Sequence, residues 1–224
     1  AHGRAMEAKG GPHTGTTIVA VTYASGVVLG ADSRVSTGTY VSNRASNKIT
    51  PLAENVFLGR SGSAADTELI SDYVRHYASQ HASDIGEAPS VQSVANMLMN
   101  LSYNNKGLLA AMLVAGYDAR EQCGVVFGSP IGGTLVRAPW AIDGSGSTYI
   151  WSHFDDNFRE GMSREEAEAL VKEGIALAMA RDGSSGGIIR MVTVDAAGAK
   201  KTTLTGADIP LGPEELPEPK FAAT

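Results

Sequence analysis

Thr17–Tyr23 and Val27–Ala31 are two almost wholly apolar runs joined by Ala24-Ser25-Gly26, and no other stretch constrains the fold as strongly. Small turn residues between two such runs predict an antiparallel hairpin. Strands with few polar residues on either face have to be covered on both, by helices or by a second sheet. The hairpin therefore predicts layers packed around one core. At 224 residues, 43% of them hydrophobic, the chain is long enough to bury that core within a single domain.

The apolar spacing further along supplies the other layers. Asn55–Gly59 reads as a short strand. Ala65, Leu69, Ile70, Tyr73, Val74 and Tyr77 recur at helical spacing, and Val91, Val94, Ala95, Leu98 and Met99 mark a second helix over about 90–105. Leu108–Tyr117, Cys123–Gly128 and Thr134–Ile142 read as three strands separated by polar or glycine turns. Ser163-Arg164-Glu165-Glu166 is a capping box. It opens a helix with Ala167, Leu170, Val171, Ile175 and Ala178 on one stripe, and the strand Ile188–Val194 follows. Residues 1–15 are polar and glycine-rich, and the tail after Ile209 is rich in Pro and Glu. They read as a leader (1–15) and a surface arm (210–224) around one domain (16–209).

Composition removes several function classes. A net charge of -6 with dispersed Lys and Arg argues against nucleic acid as a partner. Cys123 is the only cysteine, so a disulfide framework and a thiolate metal site are both excluded and a reducing compartment fits. His76 and His81 lack metal-ligand spacing, so no metal or other cofactor is expected. No apolar run approaches membrane-spanning length, and the leader lacks the apolar core of a secretory signal. Gly144-Ser145-Gly146-Ser147 matches neither a phosphate-cradling loop nor a hydrolase nucleophile elbow.

The chemistry concentrates at Gly15-Thr16-Thr17. A cut between Gly15 and Thr16 leaves Thr16 with a hydroxyl and a free α-amine, whose ordinary pKa is about 8. One residue then holds both nucleophile and proton acceptor. Taken alone, the same residues read as no more than a β-branched strand start. Asp32 ends the second run of the hairpin and so lies near the start of the first. Lys48 is the only lysine between the leader and Lys106. Pointing outward it is an ordinary surface residue. Pointing inward, it favours a Thr16 alkoxide and pairs with Asp32. The turn Arg60-Ser61-Gly62-Ser63 feeds a helix and offers backbone N–H groups to an oxyanion. Asp182-Gly183-Ser184-Ser185 ends the last helix with a carboxylate and hydroxyls able to orient an amine.

Gly-Thr-Thr-Ile at Gly15, Gly-Ala-Asp-Ser-Arg at Gly30–Arg34, Lys48, Arg-Ser-Gly-Ser-Ala-Ala-Asp-Thr at Arg60–Thr67 and Arg-Asp-Gly-Ser-Ser-Gly-Gly at Arg181–Gly187, in this order, resemble a proteasome beta subunit of the N-terminal-nucleophile (Ntn) hydrolase superfamily. The resemblance spans Thr16 to Ile209 and implies an α+β fold, a four-layer αββα sandwich of two stacked, largely antiparallel sheets flanked by helices. It implies Thr16 as nucleophile, released by autocatalytic cleavage after Gly15, with Asp32 and Lys48 as charged partners and Gly62 N–H as oxyanion donor. Ser145, Asp182 and Ser185 would orient the amine and its water. It also implies a substrate pocket built from Val35, Ser36, Ser46, Thr67 and Arg60. A guanidinium at Arg60 matches an acidic side chain and resembles the caspase-like subtype. Val35 departs from the hydroxyl residue expected there and makes the pocket less polar. Stacked heptameric rings of alpha and beta subunits acting on unfolded polypeptides, in cytoplasm and nucleus, complete the expectation. The alternatives are a non-catalytic ring subunit and a stand-alone amidase of the same superfamily, which particle size separates.

Overall fold

The computed structural model describes residues 15–210. Apart from Gly15 and Pro210, the expected leader and arm lie outside the described residues. In chain order the elements are β1 (Ile18–Tyr23), β2 (Gly26–Ala31), β3 (Val35–Thr37), β4 (Tyr40–Asn43), β5 (Ile49–Ala53) and β6 (Val56–Gly62). Then come α1 (Ala64–Ile85), α2 (Val91–Asn104), β7 (Ala110–Asp118), β8 (Cys123–Ser129), β9 (Val136–Arg137) and β10 (Trp140–Asp143). A 3-10 turn (Ser145–Tyr149), α3 (Trp151–Asn157), α4 (Arg164–Arg181), β11 (Ile189–Asp195) and β12 (Gly198–Leu204) complete the domain.

Two antiparallel five-stranded sheets form, ordered β10-β1-β2-β11-β12 and β5-β6-β7-β8-β9. The period-2 alternation of strand side chains explains how they stack. On β1, Ile18 and Ala20 meet Phe57, Leu113 and Val126 of the second sheet. Val19 and Val21 face the other way, onto Phe154 of α3 and Leu170, Val171 and Ile175 of α4. Leu58, Met112 and Val114 turn from the second sheet onto Ile70 and Val74 of α1 and Val94 and Leu98 of α2. The result is the four-layer αββα sandwich. Helix α4 comes so close to β2 that a Cβ built on Gly30 would lie 2.4 Å from Val171 Cγ1, which explains a glycine inside a buried strand.

The helix signals hold in detail. The capping box at Ser163 and Glu166 is formed, Ser63 caps α1 by accepting from Asp66 N, and Gly86 ends that helix in the left-handed conformation. The single strand expected over Thr134–Ile142 is a correction. It is two short strands in different sheets, β9 beside β8 and β10 beside β1. Pro139 lies between them, lacks the N–H a ladder needs, and instead accepts from Thr22 N at 2.9 Å. The β3–β4 hairpin, α3 and β12 had no signal that was read. β12 is an edge strand with exposed Lys200 and Lys201, the charged type of edge that resists further pairing.

Candidate active site

The head of β1, the ends of β2 and β6, the segment before β5, the 3-10 turn and the loop after α4 meet at one edge of the sandwich. Thr16 is 3% exposed there. Its hydroxyl donates to Gly15 O at 2.8 Å, and its N–H donates to Ser145 Oγ at 3.2 Å. Lys48, 5% exposed, turns inward. Its Nζ lies 2.8 Å from Asp32 Oδ1 and 2.9 Å from Gly15 O. The carbonyl of the Gly15–Thr16 bond is thus held by the Thr16 hydroxyl and the Lys48 ammonium together.

Asp32 is fully buried, and its carboxylate is satisfied from all sides. Besides Lys48 it accepts from Thr17 N (2.9 Å), Gly186 N (3.0 Å) and Arg34 N (3.1 Å), as an ionised group in the interior must. Burial pulls the Lys48 ammonium below its ordinary value, and the Asp32 carboxylate opposes that shift. Asp182 anchors a second network, accepting from Ser145 Oγ at 2.7 Å and Ser185 Oγ at 2.6 Å. Thr17 Oγ1 closes it, 2.8 Å from Ser185 Oγ. Ser145 therefore links the Thr16 nitrogen to the Asp182 carboxylate.

Gly62 ends β6 with φ at 101°, and a Cβ there would lie 2.4 Å from Leu109 O, so only glycine fits. Val35, Ser46, Arg60, Gly62 and Thr67 line one recess with Thr16 and Lys48. Ser36 is buried on β3 and is not part of that lining. The Thr67 hydroxyl is committed to the carbonyls of Ser63 (3.0 Å) and Ala64 (3.2 Å). Arg60 donates through Nη2 to Asn47 O at 2.8 Å, while its buried Nε has no partner. Burial lowers its proton affinity, opposed by Glu68 and Asp72. Neither acid forms an ion pair with it among the described residues.

Sequence reasoning passed over Thr17 and Asp143. Asp143 faces Ile18 across the β1–β10 ladder. Burial pushes its carboxyl up, while Gly144 N–H and the Ser61 hydroxyl pull it partly back. The signal was an acid ending an apolar strand, as at Asp32. A folded-state pKa above the unfolded one gives stability that is present at low pH and is lost as pH rises through the folded value. Asp143→Asn is therefore expected to raise the thermal midpoint by a few degrees at pH 7.5. The gain should fade toward about pH 4. A lower midpoint at pH 7.5 would show that the charge itself is needed.

Two face-to-face antiparallel sheets between helix layers, with a threonine heading the first strand and a lysine–aspartate pair beside it, define the Ntn-hydrolase class of protein. The chain belongs to the proteasome beta subunit family. The family model described as "Proteasome subunit" matches residues 12–194. The chain is 49% identical over 206 residues to proteasome subunit beta type-6 of Arabidopsis thaliana, covering 92% of this chain and 88% of that protein. It is 46% identical over 199 residues to beta type-9 of Homo sapiens, with 88% and 90% covered. Against beta type-1 of Saccharomyces cerevisiae it is 45% identical over 194 residues, with 86% and 89% covered.

Proposed function

We propose that this chain is a catalytic beta subunit of the proteasome core: a threonine endopeptidase that frees its own Thr16 and cleaves polypeptides after acidic residues. It would work in stacked heptameric rings with other alpha and beta subunits, in cytoplasm and nucleus, on unfolded polypeptides. The observation that carries the reading is the Lys48 ammonium, shared between Asp32 Oδ1 at 2.8 Å and Gly15 O at 2.9 Å, with the Thr16 hydroxyl on the same carbonyl.

Self-cleavage begins with Thr16 Oγ attacking the Gly15 carbonyl carbon. Negative charge gathers on Gly15 O, where Lys48 donates. The C–N bond breaks as the Thr16 nitrogen takes up the proton that Oγ gives up on attack, leaving Gly15 esterified to Oγ. Water hydrolyses that ester and releases the leader as a carboxylate. The freed α-amine, oriented through Ser145 and Asp182, then accepts the hydroxyl proton during attack on a substrate. The resulting oxyanion falls to Gly62 N–H, the departing amine carries off a proton, and water clears the acyl ester.

Selection after Asp or Glu is assigned to Arg60, which lines the recess with Thr16 and whose Nε has no partner. A buried guanidinium with unfilled donor capacity favours a carboxylate ligand. Arg60→Met in a reconstituted core is expected to lower kcat/KM after Glu by about a hundredfold, with cleavage after Leu retained or improved. Unchanged cleavage after Glu would remove Arg60 from substrate selection.

A further inference from the structure

Arg190 has no part in the chemistry above, yet its guanidinium grips a segment that carries part of the site. It sits on β11, between Ala31 of β2 and Thr203 of β12. Its Nη2 donates to Ala45 O at 3.0 Å and its Nε to Ser46 O at 3.4 Å. One planar fork thus takes two successive carbonyls of the segment between β4 and β5.

That segment has no strand ladder of its own and hangs from few points. Ser33 holds its start, with Ser33 Oγ donating to Arg44 O at 2.5 Å and Ser46 N donating to Ser33 O at 3.0 Å. Both bonds end on one residue, so they leave a pivot. Arg190 supplies a second, separate anchor from a different strand. Immediately downstream, Ser46 lines the recess and Asn47 O accepts Arg60 Nη2 at 2.8 Å. Lys48 is less exposed to any loosening. Its carbonyl accepts Arg60 N at 2.9 Å and its Nζ is fixed on Asp32.

We infer that Arg190 is a positioning residue for substrate selection: by forking the Ala45 and Ser46 carbonyls it fixes Asn47 O, and through it the guanidinium of Arg60. The inference rests on the post-acidic reading of Arg60. A guanidinium–carboxylate pair depends on orientation, and small misplacements of binding groups carry large rate penalties. Loosening the segment therefore penalises acidic substrates and spares neutral ones.

The test compares reconstituted cores carrying wild-type chain, Arg190→Met, Arg190→Lys or Arg60→Met on two peptides that differ only in Glu or Leu before the scissile bond. Arg190→Met is expected to lower the Glu-to-Leu ratio of kcat/KM about tenfold, through KM for the Glu peptide, with the Leu peptide within about twofold of wild type. Lysine keeps the charge without the planar fork, so Arg190→Lys should recover the ratio only partly, to about threefold below wild type. Should Arg190→Met fail to assemble, the Arg190→Lys ratio decides alone. Full recovery by lysine would assign the effect to charge and overturn the inference, as would an unchanged ratio or a parallel loss on both peptides. A Glu preference absent from wild type, or surviving Arg60→Met, would instead sink the reading of Arg60, and this inference with it.

Discussion

Replacing Thr16 by alanine is expected to leave the Gly15–Thr16 bond intact and to abolish hydrolysis by this subunit. The side chain that contacts the scissile carbonyl is gone, and the nitrogen that would serve as base stays an amide. Losing a nucleophile in a hydrolase that works through one typically costs on the order of 10⁶ in kcat, below ordinary detection. Intact mass of the chain recovered from a core in which the other catalytic subunits are inactivated gives the first readout, since the unprocessed chain retains its leader. Residual turnover of a Glu peptide gives the second. Thr16→Ser keeps a hydroxyl on the same atom path and should still mature, more slowly. A Thr16→Ala chain beginning at residue 16 in that background would mean that another agent cuts the bond, and self-cleavage would have to be abandoned.

What the sequence revealed and what it hid follow from the range of the forces involved. The β1–β2 hairpin was legible because Ile18–Val21 and Val27–Ala31 leave no polar face for water, whatever the partner. Helices α1, α2 and α4 were legible from apolar stripes, and α4 also from its capping box at Ser163. The break between β9 and β10 was missed because apolar content alone does not reveal which sheet a strand joins. Pro139 was the local clue. Within the site, Thr16, Asp32 and Lys48 emerged from motif order rather than from spacing. No local rule predicts that residues 16 positions apart will lie 2.8 Å from each other. Thr17 and Asp143 were passed over because a threonine opening a strand and an acid closing one are ordinary until the fold shows their surroundings. Ser36 shows the converse. It belonged to the pocket that the resemblance implied, yet on β3 it is Val35, and not Ser36, that lines the recess.

Lys48 separates charge from geometry, and two substitutions should read them apart. In Lys48→Ala the Asp32 carboxylate keeps its three backbone donors but loses the only cation paired with it among the described residues. Removing one member of a buried pair costs about 3–5 kcal/mol, partly offset here by those donors, so a large fall in thermal stability should accompany the loss of leader removal. Lys48→Arg restores the charge and much of the stability. Its planar fork cannot place one nitrogen between Asp32 Oδ1 and Gly15 O as the ammonium does, so leader removal should stay at least about a hundredfold slow. The pH dependence gives an independent check. Burial lowers the Lys48 proton affinity, so self-cleavage that uses the ammonium as donor should be fastest where that ammonium keeps its proton. It should then decline through an alkaline limb at a pH below the ordinary lysine value of about 10.4. A guanidinium does not titrate in that range, and the residual rate of Lys48→Arg should show no such limb. Maturation of Lys48→Arg at the wild-type rate would mean that any cation suffices, and the shared hydrogen bond would then have no role in breaking the Gly15–Thr16 bond.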